Sequence, residues 1–194
     1  MPDKMTPQQR HNCMSHIRSA DTRPELAIRR ELWHRGYRFR TNVAGLPGKP
    51  DIVLAKYRTA IFVNGCFWHG HSGCPKFVLP ETNREFWEQK IRRNRERDLV
   101  NNERMELLAW NVITVWECEL SRTELPKTAD KIAGQLLQNK SRWDDFRLRR
   151  KNDKAFAKEQ QAKRKMVLEQ MEAEIDGMFS IPPGIRKLSK SESL

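Results

Sequence analysis

Apolar and polar positions alternate with a changing period along the first 140 residues, and the changes mark out separate elements. Thr6-Pro7-Gln8-Gln9 carries a helix start: a threonine that can cap, a proline that fits the first turn, and a glutamine placed to complete a capping box. The helix is expected to run to about Arg18. A second start follows at Asp21-Thr22-Arg23-Pro24-Glu25. Leu26, Ala27, Leu32 and Trp33 then form an apolar face that ends at Gly36. Tyr37-Arg38-Phe39-Arg40 alternates as a strand with one wet face. After a loop rich in Gly and Pro, residues 51–55 read as a buried strand, 56–58 as a turn and 59–63 as its hairpin partner. A long helix is predicted from Thr82 or Asn83 to Ala109, with Phe86, Trp87 and Ile91 early and Met105, Leu107 and Leu108 late. Residues 112–116 form the next buried strand. Residues 125–138 form another helix, with Ile132, Leu136 and Leu137 turned inward.

The order helix, strand, strand, strand, helix, strand, helix predicts an α/β domain built on a mixed β-sheet flanked by helices. The hairpin supplies an antiparallel pair, and the long helix crosses over to the last strand. From Ser141 the pattern changes. Residues 141–176 are dense in Lys, Arg, Glu, Asp and Gln, which predicts a helical but poorly buried arm. Ile181-Pro182-Pro183-Gly184 breaks it, and 186–194 reads as a disordered tail. The expected division is a folded core domain over 1–140 and a charged helical arm with a tail over 141–194.

Composition narrows the function classes. Lys and Arg number 37 against 25 Asp and Glu, a formal net charge of +12. That balance favours a polyanionic partner, most simply nucleic acid. No apolar run approaches membrane-spanning length, and the polar start Met-Pro-Asp-Lys-Met-Thr is no secretory signal, so a cytoplasmic protein is expected. In a reducing compartment clustered cysteines more often bind metal than pair as disulfides.

The chemistry concentrates in Asn64-Gly65-Cys66-Phe67-Trp68-His69-Gly70-His71-Ser72-Gly73-Cys74. Cys66, His71 and Cys74, spaced Cys-x4-His-x2-Cys, can wrap one tetrahedral zinc ion, whose fourth ligand must come from elsewhere. Cys118 is the best placed, because it follows the strand-like Val112-Ile113-Thr114-Val115-Trp116. Cys13 is left over and reads as a core or half-buried thiol. Asp51, just after Pro50 at the mouth of an apolar strand, is a rigid carboxylate able to ligate Mg²⁺; a turn aspartate capping its own loop is the plainer reading. Glu25, in a first helical turn, at least suits the helix dipole. On the long helix Lys90, Arg92, Arg93, Arg95 and Arg97 follow directly on aromatics, which suits phosphate contacts beside stacked bases, although a solvated charged face is the commoner meaning.

Several of these motifs together resemble the very short patch repair endonucleases. The resemblance rests on Leu46-Pro47-Gly48-x-Pro50-Asp51, Gly65-Cys66-Phe67-Trp68-His69-x-His71, Glu85-Phe86-Trp87 and Val115-Trp116-Glu117-Cys118, with Asp21-Thr22 and Glu25 agreeing. It spans roughly residues 6 to 140 in consistent order. It implies a restriction-endonuclease-like fold and a Mg²⁺-dependent nick in one strand of double-stranded DNA, 5′ to the thymine of a T:G mismatch left by 5-methylcytosine deamination. It also implies site roles. Asp51 and the main-chain carbonyl of Val63 would hold Mg²⁺, His69 would be the general base, and Glu25 would bind a metal-bound water or orient the site. Cys66, His71, Cys74 and Cys118 would form a closed structural zinc site; His69 is the alternative to His71, and the family pattern favours His71. Phe67, Trp68 and Trp87 would wedge beside the mismatch, with core packing the rival reading, most of all for Trp87. Lys90, Asn94, Arg97, Asn64 and Met14 would touch DNA.

The chain departs from that pattern at Asn64, where a second histidine is common, at Val63, commonly threonine, and by one extra residue between His71 and Cys74 that Gly73 can absorb. Asparagine can hydrogen-bond a phosphate but cannot exchange a proton. The expected partners are mismatched DNA and other mismatch-repair proteins, with the chain itself a monomer. The competing readings are a restriction-type nuclease with another target and a zinc-stabilised mismatch binder without catalysis.

Overall fold

A computed structural model describes Thr6, Gln8, Gln9, Asn12 and residues 20–152 and 154–179; for 151–152, 154–157 and 174–179 it describes the backbone alone. The capping box at the start is present: the Gln9 backbone N–H donates to Thr6 Oγ1 at 3.2 Å, and the Thr6 N–H donates to Gln9 Oε1 at 2.9 Å. The rest of the helix expected there, with Met14 and Cys13, and the residues after 179 lie outside the described residues.

Helix α1 is Arg23–His34, capped by the Thr22 side chain. Strands β1 (Ile52–Leu54) and β2 (Thr59–Asn64) form a hairpin with Ile52 opposite Ile61. Helix α2 (Arg84–Leu107) crosses over to β3 (Asn111–Trp116), which pairs parallel to β2 with Val63 opposite Val115. The result is a three-stranded mixed sheet in the order β1-β2-β3. Helices α3 (Leu125–Asn152) and α4 (Lys154–Phe179) follow. The core joins Ile28 and Leu32 of α1, Ile52, Leu54 and Ile61 of the hairpin, Val115, and Ile132 and Leu136 of α3. No helix among the described residues is long and apolar enough to cross a membrane.

Four local expectations change. The strand over 37–40 reduces to one antiparallel bridge between Arg40 and Val53, because β1 is only three residues long and offers little edge to pair with. On α1, Leu26 and Trp33 are exposed, and the buried stripe is Glu25, Ile28, Arg29 and Leu32. Those four sit at i, i+3, i+4 and i+7, one helical face in which two members are charged and neutralise each other. Leu137 is exposed while its neighbour Leu136 is fully buried, and Leu107 is exposed near the end of α2. Beyond 141 the chain is helical and mostly exposed, as expected, but it is not set apart from the body. α3 runs on without a break to Asn152, and α4 packs back against both α2 and α3, burying Val167.

One turn ties the sheet to α2. Arg58, in the left-handed region at φ 48°, ends the turn between β1 and β2. Its guanidinium donates to the carbonyls of Leu108 and Ala109 at 2.7 and 3.0 Å, which closes the C-terminal end of α2.

Candidate active site and metal centre

Strand β2 ends at Asn64 and delivers the chain into the Cys/His loop at the edge of the sheet. Beside that edge lies a cleft of about 1510 Å³, lined among others by Glu25, Asp51, Val63, Asn64, His69 and Asp98. Trp68, Lys76 and Arg97 lie on its wall as well. Residues far apart in the chain therefore meet at one place.

Asp51 stands just before β1, and its Oδ2 accepts the Val63 backbone N–H at 2.7 Å. Burial pushes its carboxyl up to about 6, against the lowering effect of that hydrogen bond; the Glu25 charge adds to the rise, and Arg29 and His69 oppose it. The shift has a chemical meaning. A desolvated carboxylate short of positive charge is a natural ligand for a hard divalent cation.

Glu25 is buried, and its oxygens are already engaged. They accept from Thr22 Oγ1 at 2.8 Å, from the Asp21 N–H at 2.9 Å and from Arg29 at 2.9 Å. Arg29 also bonds Asp21 and donates to the Asp51 carbonyl at 3.1 Å. Helix α1 thus holds the Asp51 backbone through one buried guanidinium. Sequence reading missed Arg29, because it took a charged residue on a helix to be solvated.

His69 is positioned twice. Its backbone N–H bonds to the Gly65 carbonyl at 3.1 Å, and its Nδ1 pairs with the Asp98 carboxylate of α2. A carboxylate can only accept, so Nδ1 carries the proton and Nε2 stays free to accept one. Asp98 was also missed: it sits in a run of alternating charges where nothing local distinguishes it. Gly70 lets the loop lie against α2, since a Cβ there would come within 2.7 Å of Ile91 Cγ2.

The ligand atoms of Cys66, His71, Cys74 and Cys118 all lie within 4.8 Å of one another. His71 Nδ1 is 3.6 Å from Cys66 Sγ and 3.4 Å from Cys118 Sγ. Its ring stacks flat on Trp116 at 4.1 Å, which fixes its orientation. Cys118 comes from the turn after β3, where Glu119 accepts the Trp116 N–H at 2.8 Å. Burial pushes the Cys66 thiol up to about 12. Three sulfurs and one imidazole nitrogen form a donor set suited to a tetrahedral borderline metal. His69, turned to Asp98, is not part of this group.

Phe67, Trp68 and Trp87 pack edge to face, with ring centroids 5.2 to 5.8 Å apart. All three are half-buried, so each keeps an open edge, and exposed Phe86 extends the group. Asn94 turns inward instead of toward solvent: it is 8% exposed and donates Nδ2 to the Trp68 carbonyl at 2.8 Å. Lys90 and Arg97 are exposed on α2.

A half-buried carboxylate at the head of β1 and a histidine–carboxylate pair reaching to a basic helix share one cleft, a set of groups chemically suited to hydrolysis of a phosphodiester. The family model described as DNA mismatch endonuclease Vsr matches residues 2–81. The chain is 47% identical over 120 residues to the type II nicking enzyme V.NmeAIP of Neisseria meningitidis, covering 62% of this chain and 85% of that protein. It is 46% identical over 121 residues to V.XorIIP, a type II nicking enzyme of Xanthomonas oryzae, covering 62% and 88%. It is 43% identical over 122 residues to the DNA mismatch endonuclease Vsr of Escherichia coli K12, covering 63% and 76%. The chain belongs to the Vsr family of DNA mismatch endonucleases, with their restriction-endonuclease-like fold.

Proposed function

We propose that this endonuclease nicks one strand of duplex DNA 5′ to the thymine of a T:G mismatch, as arises from 5-methylcytosine deamination, and so opens short-patch repair. The observation that carries the reading is the meeting of Asp51, the His69–Asp98 pair and the open edge of Trp68 in one cleft. Mg²⁺ held by Asp51 and the Val63 carbonyl would neutralise charge on the scissile phosphate and lower the pKa of attacking water. His69 takes the proton of that water at Nε2, and Asp98 steadies the imidazolium that results. Glu25, whose oxygens are engaged, orients the site through Arg29 rather than touching substrate.

Cys66, His71, Cys74 and Cys118 hold structural zinc. Four protein ligands leave no open position, so that metal fixes the loop carrying His69 and Trp68. Phe67, Trp68 and Trp87 wedge between base pairs. Unstacking costs a few kcal/mol and least at a weakened pair, so the wedge itself favours mismatches. Lys90, Arg97 and Asn64 hold phosphates, and Asn94 acts through the Trp68 carbonyl. Met14, which lies outside the described residues, adds a DNA contact. Residues 1–140 carry the reaction and 141–194 are an appendage. The enzyme works as a monomer in the cytoplasm, on nucleoid DNA, and passes the nick to other mismatch-repair proteins.

The test is a panel of labelled duplexes differing only at one pair, incubated with Mg²⁺ and resolved on a denaturing gel. A single cut 5′ to the mismatched thymine, with the T:A duplex intact, is expected. Equal cutting of matched and mismatched duplexes would replace this reading with that of a restriction-type nuclease.

A further inference from the structure

A second cavity, of about 320 Å³, lies where α3 and α4 meet the end of α2; Ala109, Phe146, Arg150, Gln160, Gln161 and Arg164 line it. It is at the opposite end of β2 from the catalytic cleft. Arg58 and Ala109 border the Thr59 end, whereas the cleft opens at Asn64, roughly 16–17 Å away at the usual strand rise.

The charge pattern there is unusual for this surface. Neighbouring lysines have acidic partners: Lys163 with Glu159 at 2.7 Å, Lys165 with Glu169 at 3.6 Å, and Lys140 with Asp144. Arg150 and Arg164 have none among the described residues, and no lining residue is acidic. Arg58 stands beside them, with its guanidinium 4.2 Å from the centre of the Trp110 ring and 4.8 Å from that of Trp143. Burial and the nearby charge of Arg164 push Arg58 down to about 10. Folding therefore gathers guanidinium groups against their mutual repulsion, with no acidic partner for Arg150 or Arg164 among the described residues. Guanidinium forks match phosphate oxygens bidentately, and glutamine amides beside them add neutral donors. A space of this size sits at the lower end of ligand pockets.

We propose that this cavity binds a phosphate-bearing anion, with Arg150 and Arg164 as the charged contacts and Gln160 and Gln161 as neutral ones. The phosphate can be a free diphosphate or a backbone phosphate of DNA well beyond the nick site.

The probes are sodium pyrophosphate in titration calorimetry, and T:G duplexes of two lengths with binding measured across a salt series. Both use the full chain, its Arg150→Gln and Arg164→Gln variants, and Arg164→Lys. If the phosphate is free, each glutamine variant binds pyrophosphate about tenfold more weakly or worse, Arg164→Lys retains more binding than Arg164→Gln, and duplex binding is unchanged. If it belongs to DNA, each glutamine variant lowers the salt slope on the long duplex by about 0.9, with no change on the short one. Absence of pyrophosphate binding together with an unchanged slope on both duplexes overturns the proposal. Nicking of the short T:G duplex reports separately on the mismatch reading: a parent that binds pyrophosphate but does not nick sinks that reading and leaves this site standing.

Discussion

At the scale of single residues, Asp51 decides how the molecule responds to pH. Its folded value of about 6 lies above the unfolded 3.8, so the protonated form favours the fold. That contribution is complete below about 3.8 and is lost as pH rises through about 6. In protein dialysed free of Mg²⁺ without a chelator, Asp51→Asn is therefore expected to raise stability near pH 8 by about 1–3 kcal/mol, and by nothing below about pH 4. Thermal melts across pH check this, with nicking abolished in the same variant. Mg²⁺ should raise the melting point of the parent but not of Asp51→Asn; a variant less stable than the parent throughout would mean that the hydrogen bond from Val63 outweighs desolvation. His69 offers a cleaner kinetic test. His69→Ala should slow single-turnover nicking by about a hundredfold or more, the usual range for a general base. Asp98→Asn should slow it less, since an amide oxygen can still accept from Nδ1. Equal nicking by His69→Ala and the parent would remove the base from the mechanism.

At the scale of elements, what could be read in the sequence tracks how local the cause was. The Cys/His loop was legible because three metal-ligating side chains fall within nine residues. Cys118 could be named only because an apolar run ended beside it, and the parallel pairing of β2 with β3 is what brings it there. Arg29 pairs locally with Glu25, but the contacts that tie Arg29 and Asp98 to the site, to the Asp51 carbonyl and to His69, span 22 and 29 residues. No spacing rule distinguishes such a charge from a solvated neighbour. The same blindness misplaced the buried face of α1, where Glu25 and Arg29 occupy positions that a purely apolar pattern assigns to leucine and tryptophan. The metal loop is the element whose removal tests most. Purified protein is expected to carry about one zinc per chain. Cys118→Ser should release it, lower the melting point and suppress nicking, because the loop that presents His69 and Trp68 loses its clamp. His69→Ala should keep its zinc, since that imidazole faces Asp98. Elemental analysis of both variants decides between His69 and His71 as the ligand, and zinc lost from His69→Ala would exchange their roles.

At the scale of the whole molecule, the division proposed at residue 140 makes the chain a mismatch nuclease body with a helical addition. Composition changes at Ser141, yet helix α3 passes through that point unbroken, because charged residues with high helix propensity continue a helix as well as buried ones do. The addition is not detached. Trp143 covers Arg58, which closes α2, and α4 buries Val167 against the body. A chain ending after residue 140 loses those contacts but keeps every residue assigned to the cleft and the metal loop. Removing one buried aliphatic side chain and one aromatic cover should cost about 2–4 kcal/mol. For a chain of this size that corresponds to a fall of roughly 5–15 °C in melting temperature. Nicking of a short T:G duplex, measured well below the melting point, should stay within about tenfold of the full chain, because no assigned contact to substrate has gone. Loss of nicking in a truncated chain that still melts cooperatively would show that the helical addition belongs to the catalytic body. The short duplex is the right substrate for that comparison, since it removes any phosphate contact at Arg150 and Arg164 from the result.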